Sequence, residues 1–185
     1  MKHLFIDFLN SEHWDGLREE SYEDRLGRPD WLERLLTEWR ITPEVPAGEA
    51  ELAELRRLRA WLRELVRRLR EPHPIREEDV PRLNAYLGGE TGVWQFAMAD
   101  GDYRIERLPA RRSWEWVQSE IVLSFLRLLT EGEPKRAKIC ENCCCNWIYY
   151  DSSKNQSRKW CDHGICGNLM NVRRHRERKK RSEEE

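Results

Sequence analysis

Apolar positions along this chain recur at two different periods, and the change of period separates helices from a single hairpin. From 49 to 71, Leu52, Leu55, Leu58, Leu62, Leu65, Val66 and Leu69 form one stripe at helical spacing, which predicts an amphipathic helix ended by Pro72 and Pro74. Arginines such as Arg57, Arg63, Arg67 and Arg70 lie mostly off that stripe and alternate with Glu49, Glu51, Glu54 and Glu64. Such interleaving describes a solvated, self-paired face better than a phosphate-binding one. Upstream, Trp31, Leu32, Leu35, Leu36 and Trp39 repeat the spacing behind Asp30, a predicted N-cap, until Pro43 and Pro46 break it. The run LFIDFL at 4–9 is too short to decide between a strand and a first helical turn, and a shorter helix is predicted over 77–87.

The period then drops to two. VWQFAMA and DYRIERL flank Asp100 and Gly101, a pair suited to a type I′ turn, which predicts a hairpin over 93–108 with Met98 opposite Tyr103 and Phe96 opposite Ile105. One face of this ribbon is apolar and needs a helix to cover it. The stretch WEWVQSEIVLSFLRLL, capped by Ser113 and burying Trp116, Ile121, Leu123, Phe125, Leu126 and Leu129, is predicted to do so before Gly132 and Pro134 end it. The fold class expected for residues 1–134 is therefore mainly α with a small β-hairpin, an α+β domain. The nine tryptophans fit core positions by their spacing.

Cysteine usage changes the picture for the last third. All six cysteines fall in CENCCCNWIYYDSSKNQSRKWCDHGIC, two clusters separated by a spacing that suits one tetrahedral Zn²⁺. Thiolates match zinc because the ion is borderline-soft and asks only for four close ligands. Cys161 and Cys166 form the second pair, with His163 able to replace one of them. For the first pair, Cys140 can partner Cys143, Cys144 or Cys145. The N-terminus lacks the apolar core of a signal peptide, which predicts a cytoplasmic chain with reduced thiols and favours metal over disulfides.

The segment from Cys140 to Asn168 resembles the CGNR zinc finger, whose pattern runs roughly C-x4-C-x-W-x-F-x-D-x-S-x-N-x-x-R-x-W-C-x4-C-G-N-R. Trp147, Asp151, Ser153, Asn155, Arg158, Trp160, Gly167 and Asn168 fall in phase with it. That phase implies one structural Zn²⁺ per chain on Cys140, Cys145, Cys161 and Cys166, with Cys143 the alternative to Cys145. Residues 1–134 resemble the ABATE domain that precedes this finger, on LFIDFLNS and the order of elements. The resemblance implies stress-response transcription regulation and DNA as partner. Two cations of the family pattern are replaced, by Leu169 and Asn171, which predicts weaker phosphate contact with the metal site intact.

Charge is divided in the same place. Residues 1–134 hold 20 Lys and Arg against 27 Asp and Glu, whereas 135–182 hold 13 against 4, so only the C-terminal third suits a polyanion. Within a zinc-ribbon or treble-clef-like module, a strand is expected at WIYY, a return at RKW, and Asn168 as N-cap of a final helix on which Leu169 and Val172 pack back. That helix carries Arg173, Arg174, Arg176, Arg178, Lys179, Lys180 and Arg181, which with Arg158 and Lys159 are the candidate nucleic-acid contacts. Trp147, Tyr149, Tyr150 and Trp160 offer stacking surfaces if the partner is RNA, although packing around a small metal core is the simpler use. No H-E-x-x-H, phosphate loop or nucleophile elbow occurs, and four cysteines would close the zinc, so no enzyme is expected. The sequence thus predicts a helical regulatory domain at 1–134, answering to a small-molecule or protein effector, a finger at 135–182 and an acidic tail at 183–185. The preferred function is DNA-binding transcription regulation without membrane contact. RNA binding and a protein-interaction module with purely structural zinc are the alternatives.

Overall fold

The structure is a computed structural model, and it describes residues 2–14, 16–17, 21–88, 92–99 and 102–184. LFIDFL forms a helix, α1 (Leu4–Leu9), because nearly every side chain in it has a core neighbour: Phe5, Phe8 and Leu9 are fully buried. A two-stranded ribbon follows, β1 (Glu12–His13) with β2 (Glu23–Asp24), then a 3₁₀ turn at Arg25–Gly27 held by Asp24, whose Oδ1 accepts from the Leu26 N–H at 3.2 Å. Helix α2 (Pro29–Glu38) starts two residues earlier than expected, with Arg28 as N-cap and Pro29 in the first turn. Asp30 lies inside that turn and pairs with Arg28, so it does not cap.

Helix α3 (Glu49–Arg68) is the spine of the molecule. Glu51 reaches back to the Gly48 N–H at 2.9 Å, and Leu55, Leu58, Leu62 and Leu65 are buried to 1% exposure or less. Arg57 pairs with Glu54, and Arg67 with Glu64, as the interleaved charges predict. Arg63 departs from that expectation: it is 4% exposed, beside a buried Arg59. Both turn inward because Glu12 and Asp24 on the first ribbon neutralise them, with Arg63 Nε at 2.9 Å from Glu12 and Arg59 Nη1 at 2.6 Å from Asp24.

Helix α4 (Asp79–Gly88) precedes the hairpin of β3 (Gly92–Ala99) and β4 (Asp102–Pro109), whose register pairs Met98 with Tyr103 and Phe96 with Ile105 as expected. The predicted turn at Asp100 and Gly101 lies outside the described residues. Helix α5 (Trp114–Glu131) is capped by Ser113, whose Oγ accepts from the Trp116 N–H at 3.3 Å. Its apolar face packs on α1 and α4, with Phe125 edge-on to Phe5 at 5.4 Å. Among the described side chains of the hairpin the expected cover is not found: Val93 and Phe96 are 65% and 66% exposed.

The cysteine-bearing third begins with a 3₁₀ turn (Pro134–Arg136) and an antiparallel pair, β5 (Ala137–Ile139) with β6 (Ile148–Tyr150). The strand at WIYY is present, but its partner is AKI ahead of the first cysteine; RKW forms no strand. The pair shares the main core, Ala137 and Ile148 being buried with α1, α3 and α5. Asn10 fastens it, donating from Nδ2 to Ile148 O and accepting at Oδ1 from Ile148 N, both at 2.8 Å. A π-helical turn (His163–Gly167), capped by Asp162, runs straight into α6 (Asn168–Glu184). Asn168 is already helical there, so it does not act as N-cap; its Nδ2 donates to Gly164 O at 2.9 Å. Leu169 is half-buried, but Val172 is 48% exposed and does not pack back.

Candidate metal centre and basic helix

The Sγ atoms of Cys140, Cys145, Cys161 and Cys166 lie within 4.8 Å of one another, and Cys140, Cys145 and Cys166 are buried. Adjacent pairs stand 3.6 Å (Cys145 to Cys161) and 3.7 Å (Cys161 to Cys166) apart. A tetrahedron with Zn–S near 2.3 Å has edges of about 3.8 Å, which the two closest pairs match, so the four thiols are placed to hold one zinc ion. His163 Nδ1 sits beside Gly167 and is not part of this group, nor is the Cys143 thiol.

The backbone dictates that choice among neighbours. Asn146, directly after Cys145, adopts φ 54° in the left-handed region, while the Cys145 N–H donates to Asn142 O at 3.0 Å and the Cys140 N–H to Trp147 O at 2.8 Å. Cys143 and Cys144 are carried to the other side. Their sulfurs stand 3.2 Å apart, and Arg173 of α6 donates to Cys143 from Nη1 at 2.8 Å and approaches Cys144 from Nη2 at 3.5 Å.

Four close thiols cannot all ionise without a cation. Hydrogen bonds from the Cys145 and Cys161 thiols pull Cys140 down to about 2, while their mutual bonding with Cys140, reinforced by burial, pushes Cys145 up to about 12 and Cys161 higher still. A divalent zinc removes this conflict by compensating the thiolate charge. Supporting donors already face the sulfurs: Asn142 Nδ2 lies 3.3 Å from Cys166 Sγ and the Cys161 N–H 3.4 Å from Cys140 Sγ. Asn142 also donates to Gly16 O at 2.9 Å, which brings a loop of the first ribbon over the site. Gly16, at φ +77°, would carry a Cβ only 3.3 Å from Cys166 Sγ. Neither Asn142 nor Gly16 is a ligand type, so spacing rules could not find them.

Below the cysteines, Lys138 and Asp151 make a buried ion pair at 2.6 Å, with side chains 5% and 0% exposed. Burial by itself would raise the Asp151 carboxyl, but Lys138 and the N–H groups of Ser153 and Arg158 outweigh it and hold the group far below the usual carboxylate range. Arg158 is bound here too. Its Nε donates to Trp160 O at 2.8 Å, its Nη2 to Cys161 O, and its guanidinium lies 4.8 Å over the Tyr149 ring.

The other candidate contacts are more open. Lys159 is exposed and 3.7 Å from Glu141, and Arg174 is exposed with its guanidinium 5.5 Å over Trp160. Arg176, Arg178, Lys179 and Arg181 are exposed along α6; Arg173 is half-buried on the spare thiols, and the Lys180 side chain lies outside the described residues. Tyr149 is buried and donates to Arg158 O at 2.8 Å, Trp147 packs edge-on to His13, and Tyr150 lies 4.9 Å from the His3 ring.

A closed four-cysteine zinc centre that launches a cationic helix from a helical domain defines a zinc-finger regulator in class. Residues 136–179 match the family model of the CGNR zinc finger, and residues 2–132 match the one described as "Putative stress-induced transcription regulator", ABATE. The chain belongs to the ABATE family and carries a CGNR zinc finger at its C-terminal end. Both are regulator or zinc-finger types, not enzyme families. No curated protein matches the chain. No helix among the described residues is long and apolar enough to cross a membrane.

Proposed function

We propose that this protein is a cytoplasmic, DNA-binding transcription regulator in which residues 1–134 receive an effector and residues 135–182 bind nucleic acid, followed by the acidic tail 183–185. The observation that carries this reading is α6: it leaves the zinc centre through a continuous turn and holds Arg174, Arg176, Arg178, Lys179 and Arg181 exposed on one rigid rod. Cations on a rod fixed to a folded body lose little freedom on meeting a phosphate backbone, and each contact releases a counterion. Zinc is structural in this arrangement, because four thiolates leave no open position for substrate.

The arginines are not equivalent. Arg158 supports the second cysteine turn and Arg173 rests on Cys143 and Cys144, so the leading phosphate contacts lie farther along the helix. Tyr149 and Trp147 are held by neighbours, which favours phosphate contact over base stacking. Binding isotherms of zinc-loaded protein with duplex DNA, single-stranded DNA and RNA across a salt series test this. Tightest binding to duplex supports it. A preference for RNA supports the RNA alternative, and no binding at low salt to any of the three would overturn the reading in favour of a protein-interaction module.

A further inference from the structure

The N-terminal domain contains a cleft of about 500 Å³ between α2, the segment 42–47 and the start of α5. Its walls are apolar: Leu26, Leu32, Leu36 and Trp114 are largely buried, yet each contributes surface to the cleft. Trp114 has already satisfied its indole N–H, which donates to Val45 O at 3.0 Å, so it offers the cleft aromatic surface without a polar demand. Pro43 and Pro46 stiffen the opposite side, and the Glu44 N–H is anchored on Arg112 O at 2.8 Å. A preformed concave site of this size, mostly apolar with a few polar groups, is what a small-molecule ligand needs.

The polar groups settle which ligand. Glu33 and Glu44 line the cleft, both are exposed, and neither carboxylate makes a hydrogen bond or ion pair among the described residues. No Lys, Arg or His lines it. Other carboxylates of the domain, Glu12, Glu23, Asp24, Glu54 and Asp79, are each paired with arginine. Two uncompensated carboxylates beside an apolar, indole-walled cleft favour a positive ligand and disfavour a negative one of the same shape. We propose that this cleft binds a small hydrophobic cation, an amine carried on an aromatic or aliphatic body.

The site deepens the regulatory reading, since it gives the effector a chemical class. It rests on that reading only for its role: the binding itself is measured without nucleic acid, so failure here and failure of nucleic-acid binding are told apart. Calorimetric titration of the zinc-loaded full chain with 4-phenylbutylamine and with 4-phenylbutyrate compares one body with two opposite charges. The amine should bind at one site per chain, at least about tenfold more tightly than the carboxylate, as two partly solvated charge pairs allow. Glu33→Gln with Glu44→Gln, both at exposed positions, should weaken the amine about tenfold and remove the preference. Ala47→Phe, which fills the apolar side, should weaken both ligands while the far-ultraviolet circular dichroism stays unchanged. Equal affinity for the two ligands, no binding of the amine, or amine binding indifferent to the double glutamine variant would each overturn the proposal.

Discussion

At the residue scale, the zinc finger depends on side chains that never touch the metal. Asp151 is the clearest case, because it neutralises a lysine that is itself 5% exposed and caps two backbone N–H groups. Asp151→Asn would leave Lys138 buried without a counter-charge, and breaking such a pair costs about 3 kcal/mol, readable as a lowered denaturant midpoint at neutral pH. The sign with pH follows from the depressed carboxyl. Its contribution is fully present above the unfolded value near about pH 4 and is lost as pH falls through the folded value, so the variant should lose part of the wild-type acid sensitivity. The thiols divide in the same local way. Cys161→Ser should abolish stoichiometric zinc, whereas Cys143→Ser with Cys144→Ser should retain one zinc per chain by elemental analysis, because those sulfurs face Arg173. Zinc lost from the double variant would move the ligand set back to Cys143. Spacing left that choice open; only the phase of the CGNR pattern separated Cys145 from its neighbours, whose sulfurs lie against Arg173 instead.

At the scale of elements, the long helices were legible and the joints between them were not. Leu55, Leu58, Leu62 and Leu65 announce α3 because a helix must bury a continuous stripe, and the same holds for α2 and α5. The D-G turn signal likewise gave the hairpin register. Strand β5 was not legible, since three residues without a flanking turn signal carry no period. Arg63 was misread for a related reason: a charged residue off the stripe looks solvated unless its partner is known, and Glu12 is 51 positions away in sequence. Buried, Arg63 donates from Nη1 to Asn146 O at 2.8 Å and from Nη2 to Leu9 O at 2.7 Å, so α3 holds the first cysteine turn directly. Arg63→Met should cost about 3 kcal/mol and accelerate amide exchange over 140–148 while zinc is retained. Exchange confined to α3 would contradict this joint.

At the scale of the whole molecule, finger and helical domain behave as one body. Ile148 is fully buried in the core of α1, α3 and α5, and Asn10 binds both its backbone N–H and its C=O. A metal module of this size lacks a sufficient core of its own, and sharing one solves that problem. It also gives α6 a fixed origin, so its cations extend from a rigid platform instead of a tether. The chain's near-neutral total of −1 conceals this arrangement, because the acidic domain and the basic rod cancel in the sum. The measurement that tests the account most directly is the salt dependence of duplex DNA binding, wild type against Arg174→Ala with Arg176→Ala, Arg178→Ala and Arg181→Ala. Each lost phosphate contact removes about 0.9 from the slope of log K against log salt, so the fourfold variant should bind more weakly with a slope shallower by roughly three to four, its zinc content unchanged. An unchanged slope and affinity in that variant would contradict the claim that the zinc-held helix is the nucleic-acid contact.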